Sequence, residues 1–359
     1  MWRTIVGSLV VALAAAVGGA CGAPVLSPAG AGGGPAAPAA GAGAASPASA
    51  AAPAPAAEAP ALARFRLAYP NLSSSYLAMF LAEDLGYYRA EGLELEILEM
   101  RANAGQAALM SSEVDFTASL GSNVRMGVQG APIKTILLFM KNPVFVLTTQ
   151  PDITSVAGLR GRTIGVGVAG ATIDQMARLT VRHYGLEPQQ DVQIVSIGDG
   201  AVQYEALRLG QIDAAMISPP FPVLAEREGF RSLVYTTDIL RLPTSGLGTL
   251  QTTLDQRRDQ VVRLAKAQIR ALRYVRAHPE ESAQAIAKFF GMDLETARGS
   301  YALMLPAWTA DGAVDREGMA LLLQQEVADG TVAVAPPYEQ LVDVAVAAEA
   351  ARALGPNAN

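Results

Sequence analysis

From Arg64 onward, short apolar runs alternate with longer stretches in which apolar residues recur every three or four positions. Phe65 to Tyr69 has the length and apolar character of a strand, and Asn71 to Ser75 forms a polar turn. Tyr76 to Tyr88 then predicts a helix, with Leu77, Phe80, Leu81 and Leu85 on one face. Leu93, Leu95 and Ile97 alternate with Glu94 and Glu96, which predicts a second strand. Gly105 opens another helix, and Asp115 to Ser119 and Thr135 to Met140 complete a set of four strands. Strand and helix in this order indicate a mostly parallel sheet with helices on both faces.

The order then repeats about ninety-five residues later. Thr163 to Val168 is a strand, Ala171 to Tyr184 a helix, Val192 to Ile197 a strand, Val202 to Leu209 a helix and Asp213 to Ile217 a strand. ALMSSEVDFTAS at 108–119 lies against ALRLGQIDAAMI at 206–217, with Leu109, Val114 and Asp115 matching Leu207, Ile212 and Asp213 at one constant offset. Two similar lobes follow. Beyond Leu250 the pattern is helical: Gln260 to Ala277, Pro279 to Phe290, Leu294 to Met304, Arg316 to Ala328 and Pro337 to Ala353. Helices without strands of their own are expected to pack on a sheet already built.

The first sixty residues follow another pattern. Arg3 supplies a short positive region, Thr4 to Val17 is apolar, and Gly18, Gly19 and Ala20 are small, as in a removed secretion signal. Cys21, the only Cys of the chain, comes directly after them. Residues 22–62 are almost wholly Ala, Pro, Gly and Ser, a composition that cannot repay the entropy of ordering. As a flexible coil this tether spans roughly 35 Å root-mean-square.

Composition removes several chemistries. With 51% hydrophobic residues among 359, the chain can bury a core, which excludes wholesale disorder. A net charge of -6 and no basic stretch interleaved with aromatics argue against nucleic acid as a partner. One Cys and two His leave no disulfide framework and disfavour a zinc site. Hydroxyls, amides, carboxylates and a few Arg remain.

SSSYLAMFLAEDLGYYRAEGLELEI, GQAALMSSEVDFTAS, GLRGRTIGVGVAGAT and LRLGQIDAAMISPPF together resemble solute-binding proteins of ABC importers, over most of residues 64 to 330. The nearest branch is the NMT1-like group for sulfonates, nitrate, taurine and thiamine-precursor pyrimidines. Cys21 similarly resembles the acylated residue of a bacterial lipobox, although Gly18 stands where that pattern usually has Leu. The resemblance implies a two-lobed α/β fold of the type II periplasmic-binding-protein kind, closing over one solute and docking on a permease. It also implies two crossings between lobes, placed near Lys141 to Leu147 and Asp238 to Gly246. Residues 1–21 would then be the signal, 22–62 the tether, 64–143 plus 245–355 lobe one and 144–244 lobe two.

In open parallel sheets ligands sit beyond the carboxyl ends of the strands, where helix N-termini point. In lobe one those turns carry Asn71, Ser73, Ser74, Ser75 and Tyr76, then Asn103 and Gly105, then Gly121, Ser122 and Asn123. In lobe two they carry Gly170, Ala171 and Thr172, then Ser218 and Pro219. Small residues let the backbone approach, and free N–H groups and the helix dipole favour negative charge. Such donors suit a sulfonate, carboxylate or polar heterocycle better than a metal ion. Ser, Thr and Asn at these places are also ordinary helix caps. Arg125 is a candidate anchor for an anionic group, against the commoner fate of a solvated Arg.

Two enzyme readings compete. Gly165 to Gly170 spells G-x-G-x-x-G, but Asp199 lies 29 residues past Gly170 where a dinucleotide site expects about twenty. The preceding strand would also be very short, and a secreted chain meets little reduced cofactor. A pyrimidine synthase of the family would need His and Cys at the site, and His183 and His278 fall at no predicted turn. The expectation is therefore a secreted, lipid-anchored, monomeric solute receptor with no cofactor and no catalysis. A sensor for a signalling partner is a further alternative.

Overall fold

The apolar runs become two five-stranded sheets. The computed structural model describes residues 61–355 apart from 71–72, 168, 170–171 and 240, so the expected leader, Cys21 and most of the tether lie outside the described residues. In chain order the strands are β1 (Ala63–Tyr69), β2 (Leu93–Glu99), β3 (Phe116–Thr117), β4 (Ile133–Met140), β5 (Val146–Thr149), β6 (Thr163–Val166), β7 (Gln193–Ser196), β8 (Ala214–Ile217), β9 (Arg231–Tyr235) and β10 (Ser245–Leu250). They pair as β2-β1-β3-β10-β4 and β7-β6-β8-β5-β9. In the first sheet β1 is parallel to β2 and β3, and β10 is antiparallel to β3 and β4. The second sheet copies this plan, with β5 as the reversed strand. Each sheet is thus mostly parallel in direction.

Three strands escape the hydrophobic pattern. β5 is only four residues long, β9 begins with Arg231, and β10 reads SGLGTL, poor in strand formers. Packing explains the glycines of β10. A Cβ at Gly246 would lie 2.4 Å from the Leu137 carbonyl oxygen, and one at Gly248 would lie 2.3 Å from the Asn123 amide nitrogen.

The helices are α1 (Leu77–Asp84), α2 (Tyr87–Ala90), α3 (Ala102–Met110), α4 (Leu120–Val128), α5 (Thr172–His183), α6 (Gly200–Arg208), α7 (Phe221–Arg227), α8 (Thr236–Ile239), α9 (Gln251–Ala277), α10 (Pro279–Phe290), α11 (Leu294–Met304), α12 (Arg316–Ala328), α13 (Tyr338–Leu341) and α14 (Val344–Leu354). The single helix expected over Tyr76 to Tyr88 is split, because Gly86 sits at φ +70 and ends one helix before starting the next. The last expected helix is likewise split. Val342 bridges to Thr135, and Asp343 restarts the helix by accepting from Ala345 N–H and Val346 N–H. α9 starts nine residues before the expected Gln260 and kinks at Arg257, whose guanidinium lies over the Phe65 ring.

On one face of the first sheet, Leu264, Ile269 and Leu272 of α9 bury against α1, α2, α10, α11 and α14. α4 and α12 cover part of the other face with Leu120, Val124 and Leu323. In the second sheet Ala177 and Val181 of α5 cover one face, and Ala206 and Leu207 of α6 the other.

The sequence echo has a structural counterpart. Asp115 accepts from Arg66 N–H at 2.8 Å and Asp213 from Thr163 N–H at 2.9 Å. Each also takes an Arg: Asp115 from Arg257 at 2.9 Å, Asp213 from Arg162 at 2.7 Å. The matched aspartates therefore perform one task, tying the start of the third strand in a sheet to the strand beside it.

Candidate functional site

The site is positioned by strand direction and by the two crossings. β4 runs the same way as β1, β2 and β3, so Met140 ends at the sheet edge where those strands end. The chain then enters the second sheet at Val146, which pairs with Ile217 and Tyr235, the last residues of β8 and β9. It returns from Tyr235 through α8 to Ser245, opposite Met140. Both crossings therefore join the carboxyl edge of one sheet to the carboxyl edge of the other. Six peptide steps from Met140 to Val146 keep those edges within roughly 20 Å there.

Thr236 binds the crossings to each other. Its hydroxyl donates to the Pro143 carbonyl at 2.9 Å and accepts from Phe145 N–H at 3.0 Å, fully buried. Beside the crossings, Lys141, Asn142, Arg241, Asp315, Glu317 and Gly318 line an open cavity of about 260 Å³.

The turns at the carboxyl edges hold the residues singled out in the sequence, in several different ways. After β1, Ser73 caps a short 3-10 turn, Ser74–Tyr76; its Oγ accepts from Ser75 N–H at 3.3 Å. Ser74 and Tyr76 are buried, and the Tyr76 ring meets Phe139 edge-on at 6.3 Å. Burial pushes the Tyr76 phenol well above its usual value, so it stays a neutral donor. Burial, with Glu99 beside it, also raises Tyr69. Asn71 lies outside the described residues, as do Gly170 and Ala171.

Asn103 and Gly105 sit inside α3, which begins at Ala102 instead of at Gly105. Asn103 is exposed, while Gly105 is buried with its Cα facing Ala68. Gly121, Ser122 and Asn123 form the first turn of α4. A Cβ at Gly121 would meet nothing within 4 Å, so that backbone is open to approach. Asn123 has a different task. Its Oδ1 accepts from Gln106 at 2.7 Å and Thr117 at 2.5 Å, and its amide donates to the Thr117 carbonyl. That buried network holds α3, β3 and α4 together.

In the second sheet, exposed Thr172 is the first residue of α5. Ser218 and Pro219 follow β8, half-buried, and the Pro219–Pro220 peptide is cis. Asp199 caps α6 by accepting from Ala201 N–H and Val202 N–H at 3.1 Å, which is a helix-end role and no ribose contact. Gly165, the first glycine of the G-x-G-x-x-G string, lies within β6, where a Cβ would strike Ile197 and Ile212. It serves packing. Arg125 pairs with Glu326 on α12 at 3.0 Å, so its charge is already committed. His183 ends α5, and His278 stacks on Tyr274 at 4.0 Å between α9 and α10.

Two residues at these edges carry no sequence flag. Gln203 on α6 donates to the Gly198 carbonyl at 3.0 Å, and its Oε1 has no partner among the described residues. Gln106 on α3 has an equally unpaired Oε1. The available signal is a polar residue on the apolar face of a helix, which is easily read as mere interruption. Among the described residues no group of three or more His, Cys, Asp or Glu could hold a metal ion. Hydroxyls and helix N-termini, with few charges, thus dominate the turns.

A family model described as NMT1/THI5 like matches residues 73–282. The riboflavin-binding protein RibY of Chloroflexus aurantiacus is 28% identical over 235 residues, covering 62% of this chain. The chain spans 65% of the length of that relative. Among solved structures, the periplasmic aliphatic sulphonate binding protein SsuA from Escherichia coli has a TM-score of 0.64 at 19% identity, covering 77% of this chain and 94% of its own. The periplasmic nitrate-binding protein NrtA from Synechocystis has 0.62 at 16%, covering 82% and 89%. These likenesses establish the two-lobed binding-protein fold. With the model matching more than half of its residues, the chain belongs to the NMT1/THI5-like family.

Proposed function

We propose that the chain is the extracytoplasmic receptor of an ABC importer. It captures one small polar or anionic organic solute between its lobes and delivers it to a membrane permease. It performs no catalysis and needs no cofactor. Secretion with acylation of Cys21 would hold it at the membrane, with the Ala/Pro-rich segment as tether. The observation that carries this reading is the pair of crossings joining carboxyl edge to carboxyl edge, which connects the edges where eight strands end, all but the reversed β5 and β10. Solute would shift the lobes toward closure by contacting both.

Ser73, Ser74, Ser75 and Tyr76 from lobe one, with Gly121 and Ser122, would face Thr172, Ser218 and Pro219 from lobe two; Asn71, Gly170 and Ala171 belong to the same turns. The fold accommodates riboflavin, sulfonate and nitrate in the named relatives, so fold alone does not select the solute. Titration calorimetry against riboflavin, pyrimidines, sulfonates, taurine, nitrate, carboxylates and NAD tests the reading. Thr172→Ala and Ser74→Ala should each weaken the bound solute by about 1 kcal/mol or more. If NAD alone binds, the dehydrogenase reading replaces this one. Unchanged affinity in both variants, with stability lowered, would leave these hydroxyls a structural role only.

A further inference from the structure

The lobes touch at places away from the turns. Arg227, at the end of α7 in lobe two, reaches the start of α11 in lobe one. Its guanidinium donates to Asp293 at 3.2 Å and to the Thr296 hydroxyl at 2.8 Å, and Glu295 lies at 3.6 Å. One helical turn further along α11, Val223 of α7 rests against Gly299, where a Cβ would come within 2.7 Å of it. On the opposite faces of the sheets, Gln325 of α12 donates to Gln175 of α5. All eight of these residues lie within helices or, for Asp293, cap one.

We propose that Arg227, Asp293, Val223 and Gly299 form an interlobe latch that sets solute affinity without touching solute. The inference rests on the receptor reading above for its link to affinity. The chemistry is one guanidinium nitrogen, Nη1, shared between both oxygens of a helix-start carboxylate and a hydroxyl, beside an apolar contact that only a residue without a Cβ permits. Separating the lobes uncovers half-buried Val223 and takes the Asp293 and Thr296 acceptors away from Arg227, whose side chain is already nearly half in water. The latch therefore raises the fraction of molecules in which α7 meets α11; taking that arrangement as the one that holds solute, apparent affinity scales with that fraction.

Gly299→Ala is the sharper probe. Residue 299 lies inside α11, where Ala favours the helix over Gly, so the fold should hold. The added methyl, however, meets stiff, β-branched Val223 and wedges the seam apart. Arg227→Ala removes the ionic half alone. Small-angle scattering of the full chain without solute should give a larger radius of gyration for both variants, with melting temperature unchanged or raised for Gly299→Ala. Surface plasmon resonance with whichever solute the calorimetry finds should give about fivefold or greater loss of affinity, carried by faster dissociation.

A radius of gyration and dissociation rate equal to the parent's in both variants would overturn the latch. If the parent chain binds none of the solutes, the receptor reading fails, and scattering still decides whether the seam holds the lobes together.

Discussion

Asp115 and Asp213 show how much one side chain arranges. Each accepts a backbone N–H from the neighbouring strand and a guanidinium from an Arg, with three-quarters of its side chain shielded from water. Removing either carboxylate strands an amide donor and takes one acceptor from an Arg that keeps others, Arg64 and Gln260 for Arg257 and Asp152 for Arg162. Asp115→Ala and Asp213→Ala should each lower stability by about 1.5–3 kcal/mol in urea unfolding, since charged hydrogen bonds are the stronger class. The pair was legible in the sequence, because a constant offset matched them before any contact was known. Asn123 was legible only as a turn residue. Its burial under Gln106 and Thr117 depends on how α3 and α4 pack, which no local pattern encodes. Asp293 brings pH into the seam. The Thr296 hydroxyl and N–H, then Arg227, hold its carboxyl down to about 2. A depressed carboxyl contributes above its unfolded value, near 3.8, and is lost as pH falls through the folded one. The start of α11, and with it the Arg227 contact, should therefore weaken between about pH 4 and pH 2, and Asp293→Asn should flatten that part of the acid unfolding curve, followed by circular dichroism.

Elements were legible where periodicity was long. The helices over 279–290, 294–304 and 316–328 fall where apolar spacing sets them. Boundaries set by backbone geometry were less visible. Gly86 breaks the expected long first helix because its φ of +70 suits a left-handed turn, and nothing lies within 4 Å of its missing Cβ. Gly86→Ala should therefore lower stability by roughly 1 kcal/mol through backbone strain alone, read as a lower melting temperature without loss of helix signal. The strands β5, β9 and β10 were missed for a related reason. They are short or glycine-bearing; β5 and β10 are strands because neighbours on both sides supply the ladder, and β9 pairs along the edge with β5. The candidate turns illustrate the same limit: α3 begins earlier than the pattern predicts and α4 starts already at Leu120, and so Asn103, Gly121 and Ser122 occupy first turns of helices.

At the scale of the whole molecule, the two-lobed α/β plan follows from the doubled order of elements, and the matched sheet orders bear that reading out. What no periodicity supplied is the reversed strand in each sheet, which turns both sets of strand ends toward the crossings. The reversed β10 has another consequence. β4 and β10 are antiparallel neighbours, and everything from Lys141 to Thr244 leaves and rejoins them where Met140 faces Ser245. Topologically, the entire second sheet hangs from the bend of a hairpin. Snipping it out and closing the gap with a tight reverse turn would break no strand pairing in the remaining sheet, so about a hundred residues stand to the rest of the chain as an ornament stands to its hook.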